Sequence, residues 1–503
     1  MNNNIGATEK DLIEFRKKKL NSFKEAGINP YPSQSSKDHT CKEVLDDQKE
    51  LVASEKKVVV AGRLTALRGH GKLVFADISD ESGKIQAVLK ADTLSKDFEI
   101  VSLLDLGDFI EFSGTVFITK AGEVSVLAAG LKILSKSLRP LPEKRVGLQD
   151  EETRFRKRYL EFAINPETRE LFKKKAKFWQ ATREFMIKKG FMEVETPALE
   201  TTAGGADANP FATHHDALDI DVFLRISMGE LWQKRLMVGG FEKTFEIGRQ
   251  FRNEGISREH LQDYSQMEFY WAYANYEDSM KLVEELYKYI AEAAFGTLKF
   301  KIGEFEVDLG QKWEKIDYVG TIKEKQGIDV SEASDEEIKN KLTELKVKFN
   351  PADRRGRLID TLWKQIRKSI AGPVLLVNHP VEVSPLAKRK EDNSKLVERY
   401  QIILAGSEMG NGYSELNDPE DQAERFNEQA KLREAGDKEA QMHDSDFVEA
   451  LEYGMPPTTG FGFSERLFSF LADKSAREAQ MFPLMKPDQP KVGNFKSEIT
   501  NNK

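Results

Sequence analysis

Phe245–Tyr273, FEIGRQFRNEGISREHLQDYSQMEFYWAY, is the stretch whose reading decides the fold. Two parts of it alternate apolar and polar side chains, around Phe245-Glu246-Ile247-Gly248 and from Gln266 to Trp271, and the middle is too polar to bury. Alternation of this kind predicts two antiparallel strands joined by a long loop. Strands so rich in Phe, Ile, Met, Tyr and Trp belong inside a sheet, where polar side chains need partners. Arg249, Arg252, Asn253, Glu254, Glu259 and His260 gather where the chain turns. Such a set suits phosphate chemistry on a nucleotide. Arg252 offers a planar fork to phosphate or carboxylate oxygens, Glu254 accepts from an exocyclic amine, and Tyr264 covers a flat base.

Phe251-Arg252-Asn253-Glu254-Gly255, followed by Met267-Glu268-Phe269-Tyr270, resembles the second signature motif of the class II aminoacyl-tRNA synthetases, in the form carried by the lysyl branch. Two later stretches extend the comparison. In Ser407–Asp418 the odd residues of a strand share a face, so Asn411, Tyr413 and Glu415 stand together, and carboxylates beside an apolar strand suit a hydrated Mg²⁺ or a substrate ammonium. Asp418 also reads as an N-cap, with Pro419 opening a helix to Glu434. Thr459-Gly460-Phe461-Gly462-Phe463-Ser464-Glu465-Arg466-Leu467 runs from a glycine-rich strand into a helix and resembles the third class II motif; read alone, Arg466 is a helix-surface residue.

The resemblance implies a ligase that activates lysine with ATP and passes it to the 3′ end of tRNA(Lys). It implies that Arg252 and Arg466 are catalytic, and that ATP lies among Arg252, Glu254, His260, Tyr264, Glu408 and Arg466. Glu408 would hold Mg²⁺. Lysine would be held by Gly204, Gly205, Glu230, Arg252, Glu268, Tyr270, Asn411, Tyr413 and Glu415, with Glu268, Tyr270 and Glu415 at the ε-ammonium. Three places depart from the family pattern. Ser227-Met228-Gly229-Glu230-Leu231 is one residue longer than usual and has Gly for Pro; two glycines, Gly460 and Gly462, precede Arg466 where three usually alternate; and Gln401 stands where a second magnesium carboxylate is usual. The related aspartyl and asparaginyl enzymes share both domains, but an aspartate pocket must be basic, and Glu268 and Glu415 make this one acidic. A non-catalytic RNA-binding relative would have lost Arg252 and Arg466.

Toward the N-terminus, Asn165-Pro166 is a helix start, and Leu171-Phe172, Phe178-Trp179 and Phe185-Met186 recur every seven residues up to Gly190. That helix and the strand ending at Pro197 resemble the first class II motif, which implies a homodimer through residues 166–197; the other reading is a helix buried in its own core. Ala203-Gly204-Gly205-Ala206 lets a ligand approach the backbone or is a flexible loop. His214-His215 point to opposite faces of one strand and do not read as a zinc site.

Five β-rich segments, Val58–Arg68, Leu73–Ser79, Ile85–Lys90, Phe109–Thr119 and Glu123–Leu134, with a short helix after the third, give the order of an OB-fold barrel. Arg63, Arg68, Phe75 and Gln86 form a base-reading set. Alone, Phe75 reads as core; the resemblance of this segment to the anticodon-binding barrels of the lysyl, aspartyl and asparaginyl enzymes makes it a stacking platform and adds Glu123. Residues 8–28 read as a charged helix with a solvated lysine run.

The expected class is therefore α+β, an OB-fold barrel followed by a catalytic domain on an antiparallel sheet flanked by helices. The expected layout is an N-terminal helical segment (1–56), the barrel (57–140), a linker (141–160), the catalytic domain (161–490) with a helical insertion at about 321–372, and a tail (491–503). Nothing in the insertion suggests chemistry. With 503 residues and 39% of them hydrophobic, the chain can bury substantial cores. A net charge of −8 argues against gripping nucleic acid through bulk charge but not through a local basic face. One cysteine, Cys41, excludes an internal disulfide framework. No run approaches the ~20 apolar residues that span a bilayer, and the start lacks a signal-peptide core, so a cytoplasmic protein without a membrane partner is expected.

Overall fold

The computed structural model describes residues 8–487 apart from 143–146, 352 and 435–439; the 491–503 tail lies outside the described residues. The chain divides into two compact units, Met1–Ile164 and Asn165–Lys503.

In the first unit the strands Lys57–His70, Leu73–Ser79, Lys84–Lys90, Phe109–Ile118 and Val124–Ser135 close into a barrel, with Ala91–Leu94 and a 3₁₀ turn, Ser95–Leu103, between the third and fourth. Alternation sets the interior: Ala76 and Ile78 turn inward to meet Ile85, Ala87, Leu89, Val126 and Ala128. The N-terminal helix, Glu9–Glu25, opens on a Thr8–Asp11 capping box. Lys17 and Lys18 of the expected solvated run are exposed, but the helix also has a docked side. Arg16 is buried and donates to the carbonyls of Leu106, Ser137 and Arg139, and Lys19 pairs with Asp105 at 2.8 Å. The connector carries two short helices, Glu151–Arg156 and Arg158–Ile164.

The second unit is built on an eight-stranded sheet. Its order, from one edge, is Glu314–Asp317, Val374–Pro380, Leu396–Leu404, Ser407–Ser414, Thr458–Ser464, Asp263–Ala272, Lys243–Phe251 and Met192–Glu193. The interior pairings are antiparallel, as expected, but both edge strands pair parallel to their neighbours, so the sheet is mixed. The deciding hairpin holds the middle of the sheet, with Glu246 opposite Glu268 and Gly248 opposite Gln266. On one face Phe245, Met267, Phe269, Phe461 and Phe463 form the core with the long helices Pro166–Lys188 and Tyr276–Phe295. Phe178, Phe185 and Met186 are consumed by that core, and Trp179 stacks on Phe463 at 5.9 Å, so the aromatic stripe of the first helix is occupied within the chain. The opposite face carries the polar side chains.

The insertion forms three helices, Tyr318–Gln326, Asp335–Glu344 and Arg355–Arg367. Ser334 caps the second in a capping box, and Leu358, Ile359, Leu362 and Ile366 of the third pack with Leu376 and Ile403 of the sheet.

Candidate functional site

The polar face of the sheet floors a cleft of about 1080 Å³. Its deepest part is made by three neighbouring strands. On Asp263–Ala272 the even residues Glu268 and Tyr270 point into it; on Ser407–Ser414 and just beyond, Asn411, Tyr413 and Glu415 do. Between them runs Thr458–Ser464, whose Gly462 lies opposite Glu268 and Asn411, and whose Gly460 lies opposite Tyr270 and Tyr413. A Cβ on Gly460 would stand 2.3 Å from Glu415 Oε1 and 2.6 Å from the Tyr270 ring, and one on Gly462 2.8 Å from Glu268 Cγ. The strand register left open by the shortened glycine pattern is thus one in which the two missing side chains make room for the two acidic ones.

Glu268 accepts hydrogen bonds from the Met228 N–H at 3.0 Å, from the Tyr270 hydroxyl at 3.2 Å and from the Gln266 amide. Burial, and then Glu230 nearby, push its carboxyl up to about 7. Burial raises Glu415 further, to about 8, against the pull of Lys234. The Tyr413 hydroxyl donates to Glu230. Glu230 opens the helix Glu230–Val238, and the residue before it, Gly229, has φ +67°. Gly229, which stands for the usual proline, thus takes a left-handed conformation that proline, fixed near −65°, cannot adopt. Gly205 also has positive φ, and a Cβ on it would stand 2.5 Å from Ser227 Oγ. Gly204 packs under Leu231 and its carbonyl accepts from Ser227 at 3.1 Å, so Gly205 lines the cleft and Gly204 supports it.

At the other end stand the two arginines. Arg252 Nε donates to the Ile226 carbonyl at 3.2 Å, and the guanidinium is 5.9 Å from the Tyr264 ring. Arg466, at the start of the helix Arg466–Leu471, donates to the Glu408 carbonyl and lies 3.4 Å from His260 Nε2 and 3.8 Å from Glu259. Burial and the charge of Arg466 hold the His260 imidazole below its ordinary range, hence neutral at pH 7. Glu254 sits on the loop after the strand; it is not among the residues lining the cleft. Gln401 is buried, and its amide donates to Glu408 Oε2 at 2.8 Å. Asn411 accepts from Arg399 at 2.8 Å.

Sequence reasoning missed three contributors. The polar face of the insertion helix brings Arg354, Arg357, Lys364 and Arg367 into the cleft; the signal was the basic residues set opposite the apolar stripe of RRGRLIDTLWKQIRK. Arg399 positions Asn411, and Lys234 lies buried between Glu230 and Glu415.

On the barrel, Phe75 stands directly opposite Arg68, and Gln86 opposite Asp77. Phe75 is half-buried and stays outside the hydrophobic core. Arg68 makes a two-pronged pair with Asp77, 2.9 Å at each prong, and Gln86 accepts from Ser125 at 3.0 Å. Arg63 turns away, stacked 4.3 Å from Phe109 and donating to the Gly107 carbonyl at 3.0 Å. Glu123 is exposed at the start of the last strand.

Residues 150–486 match the family of class II tRNA synthetases (D, K and N), and residues 58–134 match the OB-fold nucleic acid binding domain. The lysine–tRNA ligase of Thermosipho africanus is 44% identical over 487 residues, 95% of this chain and 97% of that protein. Those of Carboxydothermus hydrogenoformans and Thermotoga maritima are each 44% identical across 95% of this chain, covering 98% and 96% of their own lengths.

Proposed function

Since the chain belongs to the class II tRNA synthetases, in the branch of the lysine–tRNA ligases, we propose that its cleft joins lysine to the α-phosphate of ATP and that the enzyme then transfers the lysyl group to the 3′ end of tRNA(Lys). The observation that carries the lysine reading is the acidic end of the cleft, where Glu268, Glu415 and Glu230 converge with Tyr270 and Tyr413. An ammonium group is the natural guest of three converging carboxylates. In this reading Glu268, Tyr270 and Glu415 receive the ε-ammonium, Glu230 and the Gly204-Gly205 backbone the α-amino group, and Asn411 the carboxylate.

Arg252 neutralises the α-phosphate while the lysine carboxylate attacks in line, and Arg466 draws charge toward the departing pyrophosphate. Tyr264 and His260 border the nucleotide, with Glu254 at the exocyclic amine. No side chain becomes covalently attached. The work is alignment and electrostatics. Glu408 and the neighbouring amide of Gln401 would hold Mg²⁺, which would screen the negative charge of the ATP phosphates. Among the described residues no group of three or more His, Cys, Asp and Glu could hold an ion unaided. One carboxylate beside an amide fits an ion that takes its other ligands from phosphate and water, as Mg²⁺ does.

The domain assignment follows: 57–140 reads the anticodon and 161–490 carries the chemistry. We further infer a homodimer through 166–197, supported by the exposure of Ile187 and Met192 and by the sheet edge at Met192–Glu193, and a cytoplasmic location; among the described residues no helix is long and apolar enough to cross a membrane.

Two measurements test this reading. Of the twenty amino acids, lysine alone is expected to drive efficient ATP–pyrophosphate exchange, because each charge-assisted hydrogen bond to its buried ammonium contributes about 1.5–3 kcal/mol. Equal exchange with aspartate would return the chain to the aspartyl type. For the barrel, Phe75→Ala is expected to weaken tRNA charging by about 1–3 kcal/mol, the value of one base stack, with lysine adenylation unchanged. A parallel loss of adenylation would make Phe75 a structural residue.

A further inference from the structure

Behind the pocket that would take lysine a lysine is already buried. Lys234 is completely buried on the helix Glu230–Val238, with its ammonium 2.8 Å from Glu230 Oε1 and 2.5 Å from Glu415 Oε2. Apart from this ion pair, Glu415 Oε2 has no hydrogen-bond donor among the described residues. The rings of Tyr413 and Phe447 lie 5.5 and 5.9 Å from the ammonium. One resident cation therefore touches the carboxylate assigned to the α-amino group and one assigned to the ε-ammonium.

We propose that Lys234 is a specificity-determining positioning residue, a built-in counter-ion that brings the loaded pocket to charge balance. This rests on the lysine reading of the cleft. Three carboxylates, Glu230, Glu268 and Glu415, face two ammonium groups of the substrate, whose own carboxylate is received by Asn411 toward the Arg252 end of the cleft. The third ammonium is Lys234. Without it a buried carboxylate is left over, and an uncompensated charge in such a site takes up a proton rather than remain ionised. The groups facing Lys234 are Glu230 on its own helix and Tyr413 and Glu415 from the polar strand across the pocket; Glu268 and Tyr270 on the strand Asp263–Ala272 act on Glu415, and Asp444 is paired with Arg235 at 3.0 Å. Burial alone would lower the Lys234 ammonium, but Glu230 and Glu415 outweigh it and hold the group charged. In turn Lys234 restrains the rise of Glu415.

The sign of the pH effect follows from these groups. Glu268 and Glu415 have carboxyls raised to about 7 and 8, so they are protonated below that window and ionised above it. The substrate ammonium binds the ionised form, so KM for lysine in the unaltered enzyme falls as pH rises through 7 to 8. In Lys234→Met the same fall is expected at least one pH unit higher. At pH 7 its KM rises at least tenfold while kcat for exchange changes less than threefold, since Lys234 meets the carboxylates of the pocket and none of the reacting atoms. Lys234→Gln, which keeps polar contacts but no charge, is expected to behave like Met. A KM profile that stays in place while kcat falls would make Lys234 a structural residue and overturn the proposal. Should both single variants fail to melt cooperatively, Lys234→Met/Glu415→Gln decides. Removing both partners of a buried pair costs far less than removing one, so the double variant is expected to recover a cooperative melt; failure to do so counts against charge balance. The unaltered enzyme, assayed in parallel, tests the reading beneath: no lysine-dependent exchange there removes the substrate assignment, whatever the variants do.

Discussion

Arg252→Ala is expected to lower lysine-dependent ATP–pyrophosphate exchange by about 10²–10³-fold, the effect of deleting a single preorganised donor aimed at charge that develops in the transition state. The expectation rests on how the side chain is held. Its Nε is committed to the Ile226 carbonyl, the strand before it fixes the backbone, and Tyr264 flanks the guanidinium, so no reorganisation is needed when the α-phosphate becomes crowded with charge. Burial works against the charged form, but Tyr264, Glu254, Glu268 and Asp207 together raise its pKa, and the group stays ionised at any working pH. Arg252→Lys keeps the charge and loses the fork, so it recovers only part of the rate. Exchange kinetics of the two variants at saturating lysine check this. Rates within tenfold of the unaltered enzyme for Arg252→Ala would mean that the α-phosphate is neutralised elsewhere.

The second large effect concerns the metal-facing pair. Glu408→Gln removes the one carboxylate of the pair and is expected to abolish nearly all exchange at millimolar Mg²⁺. Gln401→Glu adds a carboxylate where the family usually has one, and is expected to lower the Mg²⁺ concentration for half-maximal adenylation, because a charged oxygen attracts the ion more strongly than an amide carbonyl. Gln401 is buried and donates to Glu408. Without metal the new carboxylate therefore faces another carboxylate in a poorly solvated place, and the variant should melt lower in chelator than in Mg²⁺. A magnesium titration run beside thermal melts reads both effects. An unchanged midpoint together with a lowered melting temperature in Mg²⁺ would show that residue 401 never meets the ion.

The central hairpin was legible because alternation with period two survives in the letters: Met267 and Phe269 against Gln266, Glu268 and Tyr270 already show which face is core. The barrel was legible for the same reason, to within a few residues at each strand end. What could not be read was whatever depends on partners distant in sequence. Arg16 of the N-terminal helix looks like part of its solvated face until carbonyls some 90 to 120 residues away meet it. Lys234 reads as an ordinary helical lysine four residues after a glutamate; its burial depends on Glu415, 181 positions further on. The basic side of the insertion helix carried a legible pattern, but its role as a wall of the cleft depends on how the insertion packs against Leu376 and Ile403. The edge strand Glu314–Asp317 escaped because four residues carry almost no periodicity, and Met192–Glu193, part of the strand read up to Pro197, gave no sign of its parallel pairing.

The two glycines under the acidic side chains have a genetic consequence. Every glycine codon begins GG, and any base change that alters the residue installs a Cβ or a stop. At Gly460 and Gly462 that carbon meets Glu415, Tyr270 or Glu268 inside contact distance. Neither position has a harmless one-step neighbour. The floor of this pocket is therefore closed to gradual mutation, and a lineage that changes which amino acid it accepts has to do so through the walls, in Lys234, Glu230 or Tyr413, while the backbone beneath them stays bare.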